Sequence, residues 1–257
     1  MKNPRSILIT GASSGIGEAL AKKYSRPGVL LGLTGRNMQR LSDVAKVCEK
    51  LGAEVVFETI DVQNRIKMQD FIRRLERKKS IDLVFANAGI SNSTASSKLN
   101  SKDIEDEIVA VNILGVLNTV RPALELMKLH QNGQIVIISS LAAYSPTPGA
   151  AIYGATKVAI KNLGLALRTE NREFNIGITV ICPGFVDTLM TENLIHPLFI
   201  ISSKKAANII YKKIIKNPKI ISFPTLTLIL LLVSKIIPDR IIFKIISSQL
   251  DSDKKTQ

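Results

Sequence analysis

The sequence predicts an α/β protein with a doubly wound parallel sheet of seven strands, helices on both faces, and an apolar, basic helical extension at the C-terminal end. Three observations carry that expectation. Short β-branched or aliphatic runs alternate with stretches of helical apolar spacing, the order that crossover helices give to a parallel sheet. Several runs, IVII at 135–138 above all, are apolar at consecutive positions, as strands covered on both faces require. A glycine-rich turn lies between the first run and the first helical stretch.

In chain order, strands are expected at 6–10, 29–34, 54–60, 81–86, 134–139, 177–182 and 219–223. Helical spacing between them is clearest at Val44, Val47, Cys48 and Leu51 and at Met68, Phe71, Ile72 and Leu75, each set flanked by Lys, Arg or Glu. No interior linker or repeat interrupts the pattern. One domain is therefore expected over 1–223, with a tail of different character over 224–257.

A chain of 257 residues, 46% apolar and 22% charged, can bury a sizeable core, which excludes disorder as its main state. Cys48 and Cys182 are too few for a disulfide scaffold, and His and Cys do not cluster at zinc-ligand spacing, so no metal is expected. The opening MKNPRSILIT has no secretory apolar core, and a reducing, cytoplasmic location is expected. Lys and Arg number 35 against 21 Asp and Glu, a net charge of +14. Nucleic acid is not an expected partner, since neither an aromatic-interleaved basic stripe nor a helix-turn-helix signal is present.

The first strand ends in Thr10-Gly11-Ala12-Ser13-Ser14-Gly15-Ile16-Gly17, and good helix formers follow. In that setting Gly11 permits a tight turn, Gly15 lets the backbone approach a pyrophosphate, and Gly17 permits close helix packing. The free N–H groups of the helix start attract negative charge. Folds that bind dinucleotides test the adenosine ribose at the end of the second strand, with an acid for a free 2′-hydroxyl or an arginine for a 2′-phosphate. Arg36 holds that position, no Asp or Glu occurs between Val29 and Asp43, and Asn37 is a second polar group, so NADP(H) is expected over NAD(H). Asp61-Val62 and Asn87-Ala88-Gly89 end the third and fourth strands on the same carboxyl edge.

Tyr153 and Lys157 stand four residues apart in a helical stretch, which puts phenol and ammonium on one face. A neighbouring cation lowers the pKa of a phenol and makes Tyr153 a candidate general acid for ketone reduction, or base for the reverse. Ser140, at the end of the fifth strand, can hydrogen-bond the oxygen on which charge develops, with Ser139 as its rival.

TGASSGIG, DV, NAG, VN, SS, YGATK and PG follow one another over roughly 7–190, in an order that resembles the compact single-domain branch of the short-chain dehydrogenase/reductase family. The resemblance implies a seven-stranded Rossmann-like fold, hydride transfer between a nicotinamide and a carbonyl or secondary alcohol, and a homo-oligomer. It implies dinucleotide contacts from Gly11, Ser13, Ser14, Gly15, Ile16, Gly17, Arg36, Asp61, Val62, Asn87, Ala88 and Gly89. By the same resemblance, Tyr153 exchanges the proton, Lys157 lowers its pKa and binds the nicotinamide ribose, and Ser140 positions the substrate oxygen. Asn112 holds a water linking Lys157 to solvent, although an asparagine in a buried helix can also satisfy a local backbone group. Pro183, Gly184 and Thr188 match the stretch that closes over the nicotinamide.

His130 is expected at a helix end, His196 in a loop of the variable region after Thr188, and Cys182 as a small buried apolar residue. From residue 201 onward there are 11 Lys or Arg against 3 Asp or Glu, and the uncharged run 220–234 has 15 residues. Even as one helix, that run reaches only ~22 Å, below the ~30 Å hydrocarbon thickness. Further on, Ile241, Ile242, Ile245 and Ile246 would share one helical face. Three readings of the tail stay open: an oligomer interface, a cover over an apolar substrate pocket, or peripheral contact with an anionic membrane surface. An apolar, lipid-like substrate is the expectation drawn from the tail. The alternative to an enzyme is a nucleotide-sensing binding protein of the same fold with little turnover.

Overall fold

The computed structural model describes residues 3–92, 101–145, 149–192 and 199–234. His196 and the stretch containing Ile241, Ile242, Ile245 and Ile246 lie outside them.

The strands β1 (Ser6–Thr10), β2 (Leu30–Gly35), β3 (Glu54–Thr59), β4 (Leu83–Ala86), β5 (Gly133–Ile138) and β6 (Ile176–Pro183) fall where the apolar runs lie. β7 (Val186–Asp187) and β8 (Ile201–Ser202) pair as a separate two-residue ladder, and β9 (Ile220–Phe223) returns to the main sheet. That sheet is parallel throughout, with the order β3-β2-β1-β4-β5-β6-β9. The order reverses between β1 and β4, and the carboxyl ends beside that reversal are where open α/β sheets bind ligands.

Alternation of side chains along each strand builds two cores. Ile7, Ile9, Leu31, Leu33, Phe85 and Val136 face one layer, packed on α1 (Gly15–Tyr24), α2 (Met38–Lys50) and, near the chain's end, the helix Ser203–Ile214. Leu8, Leu30, Val84, Ile135, Ile137 and Ile178 face the other, on α3 (Arg65–Lys78), a long helix over 101–130, and the helix Ala151–Glu170. The stripe of α3 is as expected, with Met68, Phe71, Ile72 and Leu75 fully buried. On α2 the buried stripe is Leu41, Val44, Ala45 and Cys48. Val47 is exposed instead, because the stripe that starts at Leu41 rotates it off the packed face, and Leu51 is exposed as the C-cap beyond the last residue of the helix.

The long helix consists of α4 (Ser101–Val109), a π-helical turn at Ala110–Leu114, and α5 (Gly115–His130). Lys102–His130 is long and apolar enough to cross a bilayer, but half of its most apolar window is buried inside the protein against the sheet and its neighbouring helices. Continuing in chain order, Ala151–Glu170 is α6, Ser203–Ile214 is α7, and Thr225–Ser234 is α8. The uncharged run 220–234 is therefore split into β9 and a ten-residue α8, about 15 Å long. Leu228 and Leu231 of α8 pack on Leu141, Val180 and Cys182, while Leu226, Ile229, Leu230, Leu232 and Val233 are exposed.

Candidate active site

The turn after β1 is held from the neighbouring strand. Asn87 Nδ2 donates to the carbonyls of Thr10 at 2.9 Å and Gly11 at 3.2 Å, and Thr10 Oγ1 accepts from the N–H groups of Asn87 and Ala88. Gly11 has φ +66°, and a Cβ there would lie 2.9 Å from Ala88 Cα. A Cβ on Gly17 would lie 2.2 Å from the Gly11 carbonyl oxygen, so the first turn of α1 closes directly on the glycine turn. Ser14, the N-cap of α1, makes no side-chain cap bond, and the N–H groups at this helix start remain available to an anion. Ser13, Ser14 and Gly15 line a cavity of about 390 Å³ together with Arg40, Asp43 and Leu189. This cradle fits the pyrophosphate of a dinucleotide, while Ile16 turns inward onto the core.

Arg36 directly follows β2, and its Nη1 lies 2.9 Å from Glu107 Oε1 on α4. Asn37 is engaged otherwise: its Oδ1 caps α2 by accepting from the Arg40 N–H at 2.9 Å. Asp61 Oδ1 accepts from the Gln63 N–H, and the carbonyl of buried Val62 accepts from Asn118 Nδ2 at 2.9 Å. Gly89 lies against Lys157 and Asn112, since a Cβ on it would stand 3.1 Å from Lys157 Nζ and 3.2 Å from Asn112 Oδ1.

The two serines after β5 face different ways. Ser139 is buried and donates its hydroxyl to the Lys157 carbonyl at 2.8 Å. Ser140 Oγ accepts from the Ala142 N–H at 3.1 Å and hydrogen-bonds Tyr153. Alternating side chains at the end of a strand thus leave Ser140, not Ser139, beside the phenol. Lys157 Nζ is 5.5 Å from the Tyr153 ring centroid and donates to the Ile138 carbonyl at 3.3 Å. Burial disfavours its charged form and pushes its pKa down to about 8. Burial pushes the Tyr153 phenol up and the hydrogen bond with Ser140 offsets only part of that, so the net direction is upward and the lowering by Lys157 expected from the sequence is not found.

Asn112 sits in the π-helical turn, fully buried. Its Oδ1 accepts from the Ile90 N–H at 2.9 Å, and its Nδ2 donates to the Ile90 carbonyl at 3.0 Å and to Thr156 Oγ1 at 3.1 Å. It therefore ties the loop after β4 to the helix that carries Tyr153 and Lys157. Beyond Pro183, the Gly184 N–H donates to the Phe223 carbonyl at 2.7 Å. The chain then crosses to the glycine turn, where Thr188 Cγ2 would be 2.9 Å from a Cβ on Gly15.

Sequence reading missed Glu107 as the partner of Arg36, Thr156 as the partner of Asn112, and Asn118 as the support of Val62. Each pairing joins segments more than forty residues apart, a separation that no local pattern encodes. Cys182 is buried, and burial pushes its thiol up, which leaves it inert. His130 ends α5 and pairs with Glu76 at 2.5 Å. Among the described residues no group of three or more His, Cys, Asp or Glu could hold a metal ion.

A family profile for the short chain dehydrogenases matches residues 5–197. A Staphylococcus epidermidis protein named an uncharacterized oxidoreductase is 37% identical over 188 residues, 72% of this chain and 79% of the relative. Among solved structures, a short-chain dehydrogenase from Sphingobium yanoikuyae in complex with NADPH is similar at a TM-score of 0.77 and 23% identity, over 86% of this chain and 88% of that one. A Mycobacterium paratuberculosis short chain dehydrogenase bound to NAD gives 0.74 at 20% identity, over 85% and 95%. Those two likenesses concern the fold, and the two proteins hold different dinucleotides. The profile match, the relative's identity and the shared sheet agree: the chain belongs to the short-chain dehydrogenase/reductase family and is an oxidoreductase.

Proposed function

We propose that this oxidoreductase uses NADP(H) to interconvert a carbonyl and a secondary alcohol on an apolar, lipid-like substrate. The observation that carries the reading is the convergence of Ser140, Tyr153 and Lys157, contributed by the end of β5 and one face of α6, beside a glycine cradle at the same sheet edge. A bound nicotinamide dinucleotide supplies the hydride or accepts it. The Ser140 hydroxyl holds the substrate oxygen, and the Tyr153 Oη delivers a proton to that oxygen in reduction and withdraws it in oxidation. The Lys157 ammonium keeps positive charge next to the phenol as the proton leaves. Asn112 fixes the loop and helix on either side of that ammonium.

Arg36 supports NADP(H), since it directly follows β2, the chain position at which dinucleotide folds carry an arginine for a 2′-phosphate. The apolar substrate is supported by α8, an uncharged helix whose Leu228 and Leu231 pack on Leu141, the residue after Ser140. Its exposed face, Leu226, Ile229, Leu230 and Val233, gives the protein a surface suited to an anionic bilayer or to a second copy.

The deciding experiment is a panel of ketones and alcohols of increasing chain length, read by NADPH absorbance with and without anionic liposomes. Turnover is expected to rise with chain length. Rapid turnover of small polar ketones alone would remove the lipid-like substrate, and NADPH binding without turnover across the panel would remove the enzymatic reading in favour of a nucleotide sensor. Co-sedimentation of wild type and Leu226→Gln/Leu230→Gln with the liposomes tests the bilayer contact. Pelleting that is negligible for both assigns the α8 face to protein.

A further inference from the structure

We infer that Glu107 is a specificity-determining residue that sets the preference between the two nicotinamide dinucleotides through Arg36. The inference rests on the proposed role of Arg36 toward a 2′-phosphate. Gly35, the last residue of β2, lies against the glycine turn, because a Cβ there would be 3.0 Å from Ser13 Oγ. Arg36 therefore leaves the sheet beside the cradle, and its side chain reaches α4, where Nη1 meets Glu107 Oε1 at 2.9 Å. Glu107 precedes Asn112 by one and a half helical turns, so the pair links the second strand to the helix segment that leads into the π-helical turn.

The two partners are unequally placed. The Arg36 side chain is 48% exposed and that of Glu107 is 15% exposed, which makes the carboxylate the anchored member and the guanidinium the reachable one. A guanidinium has five N–H donors, so one bond to Glu107 leaves others for an incoming acceptor. The acceptors differ in what they meet. A 2′-phosphate carries between one and two negative charges and would enter next to a carboxylate on the same cation, where like charges repel. A 2′-hydroxyl is neutral and can donate a hydrogen bond to a carboxylate. No acid occurs between Val29 and Asp43, and α4 thus returns to this corner of the site the negative group that the end of β2 lacks. Glu107 holds Arg36 in place and at the same time weakens its selectivity for phosphate.

Dissociation constants of NADPH and NADH, measured by fluorescence titration on wild type, Glu107→Gln, Arg36→Ala and the double variant, test this. Glu107→Gln is expected to bind NADPH about two- to fivefold more tightly, the range for a partly exposed ion pair. NADH should bind equally well or more weakly. With Arg36→Ala already in place, Glu107→Gln should leave the NADPH to NADH ratio unchanged. Glu107→Ala should move the ratio in the same direction as Glu107→Gln, so a fold defect in either variant does not decide the outcome. An unchanged or reduced NADPH preference in both Glu107 variants overturns the inference, as does an equal shift in the absence of Arg36. If instead Arg36→Ala keeps the wild-type ratio, the assignment of Arg36 fails and with it the NADP(H) reading. Loss of preference in Arg36→Ala with Glu107 inert removes only the inference.

Discussion

The ammonium of Lys157 lies 5.5 Å from the ring centroid of Tyr153, one helical turn away, with only 3% of the lysine exposed. Its donation to the Ile138 carbonyl offsets part of the cost of burying it, and its pKa still falls from 10.5 to about 8. Below pH 8 both folded and unfolded chains carry this charge, and the folded state bears the full penalty, at most about 3 kcal/mol. Between pH 8 and 10.5 the unfolded chain binds more protons, so this group makes the protein more stable as pH rises, and above 10.5 the penalty is gone. Lys157→Met, a change of similar volume, is therefore expected to match or exceed wild-type stability at pH 7, by about 1–3 kcal/mol, while losing activity. The difference should close by about pH 10.5. Denaturant unfolding at pH 7, 9 and 10.5 reads it, and a gap independent of pH would rule out a buried charge as its cause.

On the proposed mechanism, Tyr153 and Lys157 also set the pH dependence of turnover. Carbonyl reduction needs a protonated phenol next to a charged ammonium, and the ammonium loses its proton as pH rises through about 8. Reduction should decline over that range in kcat/KM, which reports the free enzyme. Tyr153→Phe removes the proton donor and keeps the ring under the ammonium. Its kcat should fall about 10²- to 10⁴-fold, with NADPH affinity changed only a few-fold. Stopped-flow and binding titrations separate the two effects, and near-normal turnover by Tyr153→Phe would end the assignment.

Asn112 is expected to matter first as a structural clamp. Its side chain meets the N–H and carbonyl of Ile90 and the hydroxyl of Thr156, all through buried bonds. Asn112→Ala leaves these groups without that partner, and each buried unsatisfied group costs about 1–3 kcal/mol. A loss of about 2–5 kcal/mol in chemical denaturation is expected, since some groups will recover water. Asn112→Asp keeps the acceptor for the Ile90 N–H but places a carboxylate against the Ile90 carbonyl, and should be no more stable than Asn112→Ala. Hydrogen exchange at Ile90 would report the released loop directly, and full protection there in Asn112→Ala would contradict the clamp.

Much of this arrangement is legible in the sequence because local chemistry dictates it. IVII and SILIT can be buried on both faces only as interior strands, and the Met68 to Leu75 stripe has one packed side. Tyr153 and Lys157 share a face by helical period alone. The two-residue β7 and β8 are too short to leave a periodic signal. The π-helical turn at Ala110–Leu114 inserts a residue into a continuous apolar helix, which composition does not register. Ser139 and Ser140 are adjacent and chemically alike, and only the strand's facing decides between them. The Arg36–Glu107 pair spans 71 residues and depends on how α4 crosses the sheet edge.

Gly17 links the fold to the site most tightly, because its missing side chain is what lets α1 start at the cradle. An alanine Cβ there would lie 2.2 Å from the Gly11 carbonyl oxygen and 2.6 Å from Asn87 Nδ2. Neither neighbour can yield freely: the first is backbone at a residue with φ +66°, and the second is committed to the Thr10 and Gly11 carbonyls. Gly17→Ala must therefore shift the helix start away from the turn, moving the N–H groups that would face a pyrophosphate. Dinucleotide affinity is expected to fall at least tenfold, and overpacking of this kind costs about 1–3 kcal/mol of stability. Gly28→Ala serves as the control, because a Cβ at Gly28 meets nothing within 4 Å. Its φ of +81° still makes it strained, so it should lose stability and keep NADPH affinity. Equal affinities for the two variants would mean that the close approach at Gly17 serves packing alone.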